Sequence, residues 1–373
     1  MEQVDFNAPT GWSWKKFKDV CVLKRGYDLP THARSAGDFP LYSANGVTDY
    51  IDQYKVDGPG VVTGRSGTIG KVHFVEGDYW PLNTALYVQK FNGNHPRFIK
   101  YFLENFDLTR FASGAAVPTL NRNSLSAELV CVPDSVDEQK RIVEKLDALL
   151  TRIDTSIEHL QSKLALSKQL FDSVLDEFFK LSDCNSVPLT EVVDFIGGSQ
   201  PPKSQFSEVQ KEGYVRLIQI RDYKTDNHIV YVDSVSTKKF CTKDDVMIGR
   251  YGPPVFQILR GLDGAYNVAL MKAVPNEDVL TKDYLFWFLQ SPSIQNYVIG
   301  ISQRAAGQSG VNKKALEKYL IPVPNKAIQN DIVEKVGQLV NKSRNLEAEV
   351  TAEITSLNQL KASILDSAFK GEL

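Results

Sequence analysis

The chain is predicted to be an α+β protein: two domains with twisted β-sheets and short helices, joined by two long antiparallel coiled-coil helices in a pseudo-two-fold, circular arrangement. Three observations lead there. A helical stretch at 135–180 recurs from Asn325 onward at one constant offset, with Ile142-Val143-Glu144-Lys145 answered by Ile332-Val333-Glu334-Lys335 and no gap needed. A strand-rich region stands before each copy. The landmarks of the two regions come in the same order, which outweighs any one of them. The expected segments are 1–134, 135–181, 182–324 and 325–373.

The first region opens with Gly11-Trp12-Ser13-Trp14-Lys15-Lys16-Phe17 and Val20-Cys21-Val22-Leu23, followed by strand-like runs at Phe39-Pro40-Leu41-Tyr42 and Val47-Thr48-Asp49-Tyr50-Ile51. Gly60-Val61-Val62-Thr63-Gly64-Arg65-Ser66-Gly67-Thr68-Ile69-Gly70-Lys71-Val72 reads as a strand, a glycine-rich turn and a second strand. A phosphate-binding loop would need glycine at Arg65 and Ser or Thr at Val72, so the motif is read as a hairpin whose turn requires positive φ. The run 80–88 reads as one further strand. Residues 96–106 read as a helix with Phe98, Tyr101, Phe102 and Phe106 in the core, and a loop through Pro118-Thr119-Leu120-Asn121 and Leu125 leads to a strand at 128–132.

The first long helix carries apolar residues at Ile142, Leu146, Leu149, Ile153, Ile157, Leu160 and Leu164, then at Leu170, Val174 and Phe178. Steps of three and four make one apolar stripe. Ser135-Val136-Asp137-Glu138 after Pro133 predicts a capping box, the serine accepting from the N3 amide and the glutamate reaching back. In the second copy Val336, Leu339, Leu346, Val350, Ile354, Leu357, Leu360 and Ile364 continue the pattern, interrupted at Ser343 and started by a cap at Asn325. Gly337 is the one glycine inside either helical run, Gly371 standing at the very end of the second, and neither run holds a proline, so each can extend for roughly 40 residues, or ~60 Å. A narrow stripe on a solvated helix needs a partner, and the other copy is the nearest one.

The second region repeats the order. Val187-Pro188-Leu189 and Val192 answer Phe17 and Val20; Gly249-Arg250-Tyr251-Gly252 answers Gly64-Arg65-Ser66-Gly67; Asn267-Val268-Ala269-Leu270 answers Asn83-Thr84-Ala85-Leu86. A helix with Tyr284, Trp287, Phe288 and Leu289 follows, then Asn312-Lys313-Lys314-Ala315-Leu316 and Tyr319-Leu320-Ile321-Pro322-Val323-Pro324.

At 373 residues the chain has room for two cores, and its net charge of −2 leaves no global footprint for nucleic acid. Part of the acidity lies in the helical segments, so any surface for nucleic acid would have to come from local placement of charge. Cys21, Cys131, Cys184 and Cys241 are scattered and the five histidines form no ligand cluster, as expected of reduced thiols in a cytoplasmic protein. No apolar run approaches the ~20 residues needed to span a bilayer, and 1–10 lack a secretory pattern.

Two similar frames with dissimilar loops, held apart by a rigid spacer, suit a reader of two separated targets, and DNA half-sites are the natural case. At this point the sequence resembles the specificity subunits of type I restriction-modification systems, over essentially its whole length. The resemblance rests on 64–71, Asn83-Thr84-Ala85-Leu86, Pro118-Thr119-Leu120-Asn121 with Leu125, Val132-Pro133 with Glu138-Gln139, Asn312-Lys313-Lys314-Ala315-Leu316, Ile321-Pro322-Val323-Pro324 and the run 364–373. It implies two target recognition domains, each reading one half of a bipartite double-stranded DNA site, with the helices setting the gap. It implies a non-catalytic chain that binds two methyltransferase subunits, and restriction subunits through them, in a prokaryotic cytoplasm. S-adenosylmethionine, ATP and Mg would belong to those partners, and this chain would carry no cofactor. The second helix start, Lys326-Ala327-Ile328-Gln329, keeps fewer of the first one's residues.

Catalytic signals are missing in the sequence. Tyr251-Gly252-Pro253-Pro254 has the letters of an amino-methyltransferase turn in the wrong order, and Pro133-Asp134 with Glu138-Gln139-Lys140 spaces its carboxylates too closely for a nuclease site. For base contacts the chemistry favours Arg on guanine and Asn or Gln on adenine. The candidates are Arg65, Ser66, Asn83 and Arg122 in the first domain and Arg250, Tyr251, Asn267, Arg304 and Gln308 in the second, with Lys71, Lys313 and Lys314 for phosphate. Asn83 and Asn267 are equally readable as braces of the fold. The turns at 113–117 and 305–310 are expected to be mobile without DNA. A two-domain protein-binding scaffold with a coiled-coil spacer is the alternative, and salt-dependent DNA affinity separates the two readings.

Overall fold

The computed structural model describes residues 8–114, 118–180, 184–304 and 310–373. By their contacts they form two units, Met1–Leu160 with Thr351–Leu373, and Gln161–Val350. This grouping differs from the four sequence segments because each unit includes part of both long helices.

Unit 1 begins with β1 (Trp12–Lys16), α1 (Phe17–Val20) and β2 (Val22–Arg25). It continues through β3 (Ala36–Ser43), β4 (Gly46–Ile51), β5 (Gly60–Gly64), β6 (Val72–Val75), β7 (Trp80–Pro81) and β8 (Ala85–Lys90). Then come α2 (Pro96–Asn105), the short pair β9 (Ala112–Ser113) and β10 (Thr119–Leu120), α3 (Arg122–Ser126) and β11 (Leu129–Pro133). The central sheet is antiparallel with order β2-β8-β5-β6. All of Gly60–Gly64 is buried, as a central strand covered on both faces should be. A second sheet has order β4-β3-β7, and β1 pairs with β11. The expected single strand at 80–88 is two. A turn closed by Ala85 N–H donating to the Leu82 carbonyl (2.9 Å) sends β7 to the second sheet and β8 to the central one.

The expected helix at 96–106 is α2, with proline at its first turn and Phe98, Tyr101 and Phe102 buried. These rings share a core with Phe17, Val20 and the inner face of α4 (Val136–Glu177), namely Ile142, Leu146, Leu150 and Ile153. The expected stripe is displaced by one position here: Leu150 is buried while Leu149 is 39% exposed. Adjacent leucines sit about 100° apart on a helix, and only one of them can face the core.

Unit 2 runs through β12 (Ser186–Pro188), α5 (Leu189–Val192), β13 (Val193–Gly197), β14 (Tyr214–Ile218), β15 (Tyr231–Asp233), β16 (Phe240–Cys241) and β17 (Val246–Gly249). It continues with β18 (Gln257–Leu259), β19 (Gly264–Tyr266), β20 (Leu270–Pro275), α6 (Lys282–Phe288), α7 (Pro292–Arg304), α8 (Lys313–Glu317) and β21 (Leu320–Pro322). Its central sheet has order β13-β20-β17-β18, its second sheet β15-β14-β19-β16, and β12 pairs with β21. Strand for strand, the central sheet and the two-stranded ribbon match those of unit 1. The 13-residue helix α7 was not legible in the sequence, where 292–304 shows no strong apolar stripe.

The last helix, α9 (Lys326–Phe369), opens in unit 2 and closes in unit 1. In unit 1 it runs antiparallel to α4, since Arg141 Nη2 donates to the Leu373 carbonyl (2.7 Å) and Lys361 pairs with Asp154 (2.7 Å). In unit 2, Leu175 and Phe179 share a core with Ile332 and Val336, and Phe171 packs against it while Leu170 is 64% exposed.

The predicted capping box at α4 is replaced by a simpler cap, in which the serine accepts from the N2 amide and not from N3. Ser135 Oγ accepts from Asp137 N–H (3.2 Å), but the Glu138 carboxylate has turned to Arg141, which donates to it from Nε (2.7 Å) and Nη2 (2.6 Å). A bidentate ion pair outcompetes a bond to the backbone. At α9 the expected cap is present, Asn325 Oδ1 accepting from Ile328 N–H (3.0 Å).

Candidate nucleic-acid interface

Register decides which residues meet. In unit 1, Arg25 pairs with Leu86, Gly64 with Ala85 and Thr63 with Val72. The ends of β2 and β5 and the starts of β6 and β8 therefore lie at one end of the central sheet, where strands stop and polar side chains begin.

The glycine-rich turn 65–71 leaves from this end. A Cβ on Gly64 would lie 1.7 Å from the Thr68 carbonyl oxygen, so the turn can fold back only over a glycine. Arg65 N–H donates to the Thr84 carbonyl (2.9 Å), and Leu120 N–H donates to the Arg65 carbonyl (2.9 Å). Ser66 bridges to Thr119. The turn is thus clamped between β8 and β10. Arg65 Nη1 reaches the Asn83 carbonyl (3.3 Å), and the Asn83 amide donates to Asp28, which also pairs with Arg25. Lys71 is exposed. Burial, then the Lys71 ammonium, hold the nearby His73 imidazole below its usual value. Arg122 is exposed at the start of α3, whose cap is Asn121 Oδ1 accepting from Asn123 N–H (3.1 Å).

Unit 2 builds the same clamp. Gly249 pairs with Leu270, Arg250 N–H donates to the Ala269 carbonyl (2.9 Å), and Val311 N–H donates to the Arg250 carbonyl (2.9 Å). Tyr251 bridges to Gly310, and Arg250 Nη1 reaches the Val268 carbonyl (3.3 Å) with its guanidinium 5.2 Å from the Tyr251 ring centre.

These bonds correct one sequence pairing. The counterpart of Asn83 is Val268, and that of Asn267 is Leu82: both Leu82 and Asn267 accept on their carbonyls from the N–H three residues on (2.9 and 3.0 Å). Asn267 is 6% exposed and its Oδ1 accepts from Ala269 N–H (3.1 Å), so its amide braces the turn. Lys313 is also engaged, donating to the Phe195 carbonyl (2.9 Å) and pairing with Glu317 (3.5 Å), whereas Lys314 is exposed. Arg304 ends α7 with no side-chain description, and Gln308 lies outside the described residues, as do 115–117 and 305–309 of the turns expected to be mobile. The sequence reading missed Arg25 and Asp28. Their signal was Arg25-Gly26-Tyr27-Asp28, a strand ending in glycine beside the turn.

Among the described residues no three His, Cys, Asp or Glu side chains are gathered as a metal-ligand set, and no helix is long and apolar enough to cross a membrane.

A family model for the type I restriction modification DNA specificity domain matches residues 9–165 and 182–356, which together span both frames. The chain belongs to this family. Among curated members of the specificity family, the chain is similar to the EcoKI specificity subunit of Escherichia coli K12, 25% identical over 313 residues. It is also similar to the EcoBI specificity subunit of E. coli (26% over 303 residues) and the StySPI specificity subunit of Salmonella potsdam (23% over 306). These matches take in 76%, 70% and 74% of this chain. They take in 66%, 62% and 65% of the relatives' own lengths, just under two thirds. Two solved structures share the fold. One, from work on complex assembly and conformational transition of the type I R-M system, has a TM-score of 0.74 at 19% identity, over 99% of this chain and 100% of that one. The other, the HsdS subunit from Thermoanaerobacter tengcongensis, has a TM-score of 0.52 at 19% identity, over 100% of each chain.

Proposed function

We propose that this chain is the sequence-specific DNA-recognition subunit of a type I restriction-modification complex. The observation that carries the proposal is the doubled clamp: one backbone device, built twice on matching central sheets, presents Arg65 in one unit and Arg250 in the other among different neighbours. Each unit reads one half of a bipartite double-stranded site. Arg65, Ser66, Asn83 and Arg122 contact DNA from unit 1 and Arg250 and Tyr251 from unit 2, with Lys71, Lys313 and Lys314 toward phosphate. Arg304 and Gln308 are further DNA-contact candidates by residue type, and Asn267 serves the unit 2 site by holding the turn.

The chain is non-catalytic in this reading. Its long helices dock two methyltransferase subunits and, through them, restriction subunits, in a prokaryotic cytoplasm. S-adenosylmethionine, ATP and Mg are handled by those partners. The test is a map of N6-methyladenine across the source genome, with and without the gene. Removal is expected to erase methylation at one two-part motif with a fixed gap, and an unchanged map contradicts the proposal. In the assembled enzyme, Arg250→Ala is expected to cost roughly 1–3 kcal/mol of discrimination in one half-site alone. Equal loss in both halves would count against separate readers.

A further inference from the structure

The two frames match in backbone, so their differences at matched positions are informative. Gly26 N–H donates to the Ala85 carbonyl (3.1 Å) and Gly198 N–H to the Leu270 carbonyl (3.0 Å), which sets Arg25 against Gly197 and Asp28 against Gln200. With Asn83 set against Val268, a polar triad at the end of the unit 1 sheet is replaced in unit 2 by a glycine, a neutral amide and an exposed valine.

The triad is organised around one carboxylate. Arg25 Nη2 donates to both Asp28 oxygens (3.0 and 3.1 Å), and Asn83 Nδ2 donates to Asp28 Oδ1. The Asn83 backbone carbonyl is held in turn by Arg65 Nη1 (3.3 Å). A carboxylate on a surface that meets DNA repels phosphate, so its presence needs a reason, and its two donors supply one. With Nη2 engaged, Arg25 keeps Nε–H and the Nη1 hydrogens, donors only. With one amide hydrogen engaged, Asn83 keeps one N–H and its Oδ1, a donor beside an acceptor. In the major groove guanine offers two acceptors, N7 and O6, and adenine offers the acceptor N7 beside the N6 donor.

We infer that Asp28 is a positioning residue which presents Arg25 to the guanine of a G·C pair and Asn83 to the adenine of an A·T pair, both in the half-site read by unit 1. This rests on the proposed DNA-recognition role and names its chemistry in one unit. The unit 2 half-site is read without such a triad.

The experiment is a genome-wide N6-methyladenine map in cells carrying the partner subunits and one variant of this chain: Arg25→Ala, Asn83→Ala, Asp28→Ala, Asp28→Glu, Arg65→Ala or Arg250→Ala. Arg25→Ala is expected to relax one G·C position and Asn83→Ala one A·T position of the same half-site, each by about tenfold or more. Asp28→Ala relaxes both, and Asp28→Glu, which keeps the carboxylate, restores most of the preference. The other half-site is unchanged in all four. If Arg65→Ala or Arg250→Ala alters the motif while the triad variants do not, the triad assignment is overturned and the recognition role stands. If none of the six alters it, the recognition role falls as well. Should Asp28→Ala fail to accumulate as folded protein, Arg25→Ala and Asn83→Ala decide the matter, since both side chains are at the surface.

Discussion

Asp245 is a heavily engaged carboxylate of unit 2. It accepts from Thr242 N–H (2.9 Å), Lys272 Nζ (3.1 Å) and Lys282 Nζ (3.0 Å). Burial pushes its acidity the other way, but the backbone bond and the two ammonium groups outweigh it and hold the group at about 2. Its folded value lies below the unfolded one, so its stabilisation is present above about pH 3.9 and is lost as pH falls toward 2. Roughly 2 kcal/mol is at stake. Thermal unfolding followed between pH 5 and 2.5 is expected to lose less stability in Asp245→Asn than in the parent chain, and equal losses would show that the site is inert. At this scale the sequence was partly legible. The matched places of Arg65 and Arg250 were legible because glycines flank a turn at both positions, whereas the bonds of their guanidinium groups to the Asn83 and Val268 carbonyls were not. Asn83 and Asn267 were mispaired because the two copies of the Asn-x-Ala-Leu run are offset by one residue against the strands that hold them. Asp28 was missed because only half of its role is local: Arg25 stands three residues before it, but its second donor, Asn83, comes from a turn far along the chain.

The long helices show how an element is fixed to its unit. Gln139 is 1% exposed; its Oε1 accepts from His95 N–H (2.9 Å) and its Nε2 donates to Asn94 Oδ1 (2.7 Å). Gln329, 0% exposed, repeats this, its Oε1 accepting from Thr281 N–H (2.9 Å) and its Nε2 donating to the Val279 and Pro324 carbonyls (2.8 Å each). Each glutamine ties the first turn of a long helix to the residue capping α2 or α6. Although the second helix start lacks most of the first one's residues, it keeps the one that makes this tie. Gln139→Ala and Gln329→Ala are each expected to destabilise by about 1–3 kcal/mol in denaturant titration, because a partly buried backbone N–H loses its acceptor and the buried amide's other bonds go with it. Gly337 lies inside α9 and a Cβ there would meet nothing within 4 Å. Gly337→Ala is therefore expected to stabilise by up to about 1 kcal/mol, and a loss would mean that a partner packs on that face. The existence and length of both helices were legible from periodicity. The exact face was not, as Leu149 and Leu170 show, because a stripe of this length drifts around the helix.

At the scale of the whole molecule, the repeated frame was the most readable feature and the sheet connections the least. Order of landmarks survives divergence, whereas the split of 80–88 between two sheets depends on a turn whose closing bond leaves little trace in residue type. The contact pattern carries its own prediction. Leu365 and Ala368 are buried in the unit 1 core, and Leu357, Ile364 and Phe369 pack against it, while unit 2 is complete within Gln161–Val350. Deleting 351–373 is expected to abolish protection from hydrogen exchange in α2 and in the α4 residues of unit 1, and to leave the β17–β20 core of unit 2 protected. Uniform loss across both would show that the units unfold as one.

The split make-up of unit 1 has a consequence for how the protein is born. Its first 160 residues leave the ribosome long before Thr351–Leu373 exist. At about 5–20 residues per second, the wait is roughly 10–40 s. Throughout it, the apolar groove that Leu365 and Ala368 will fill stands open, whereas the later-made unit has every residue it needs as soon as Val350 is made, before unit 1 is complete. The second half of the chain can mature first, and the nascent first half is the part that needs a chaperone.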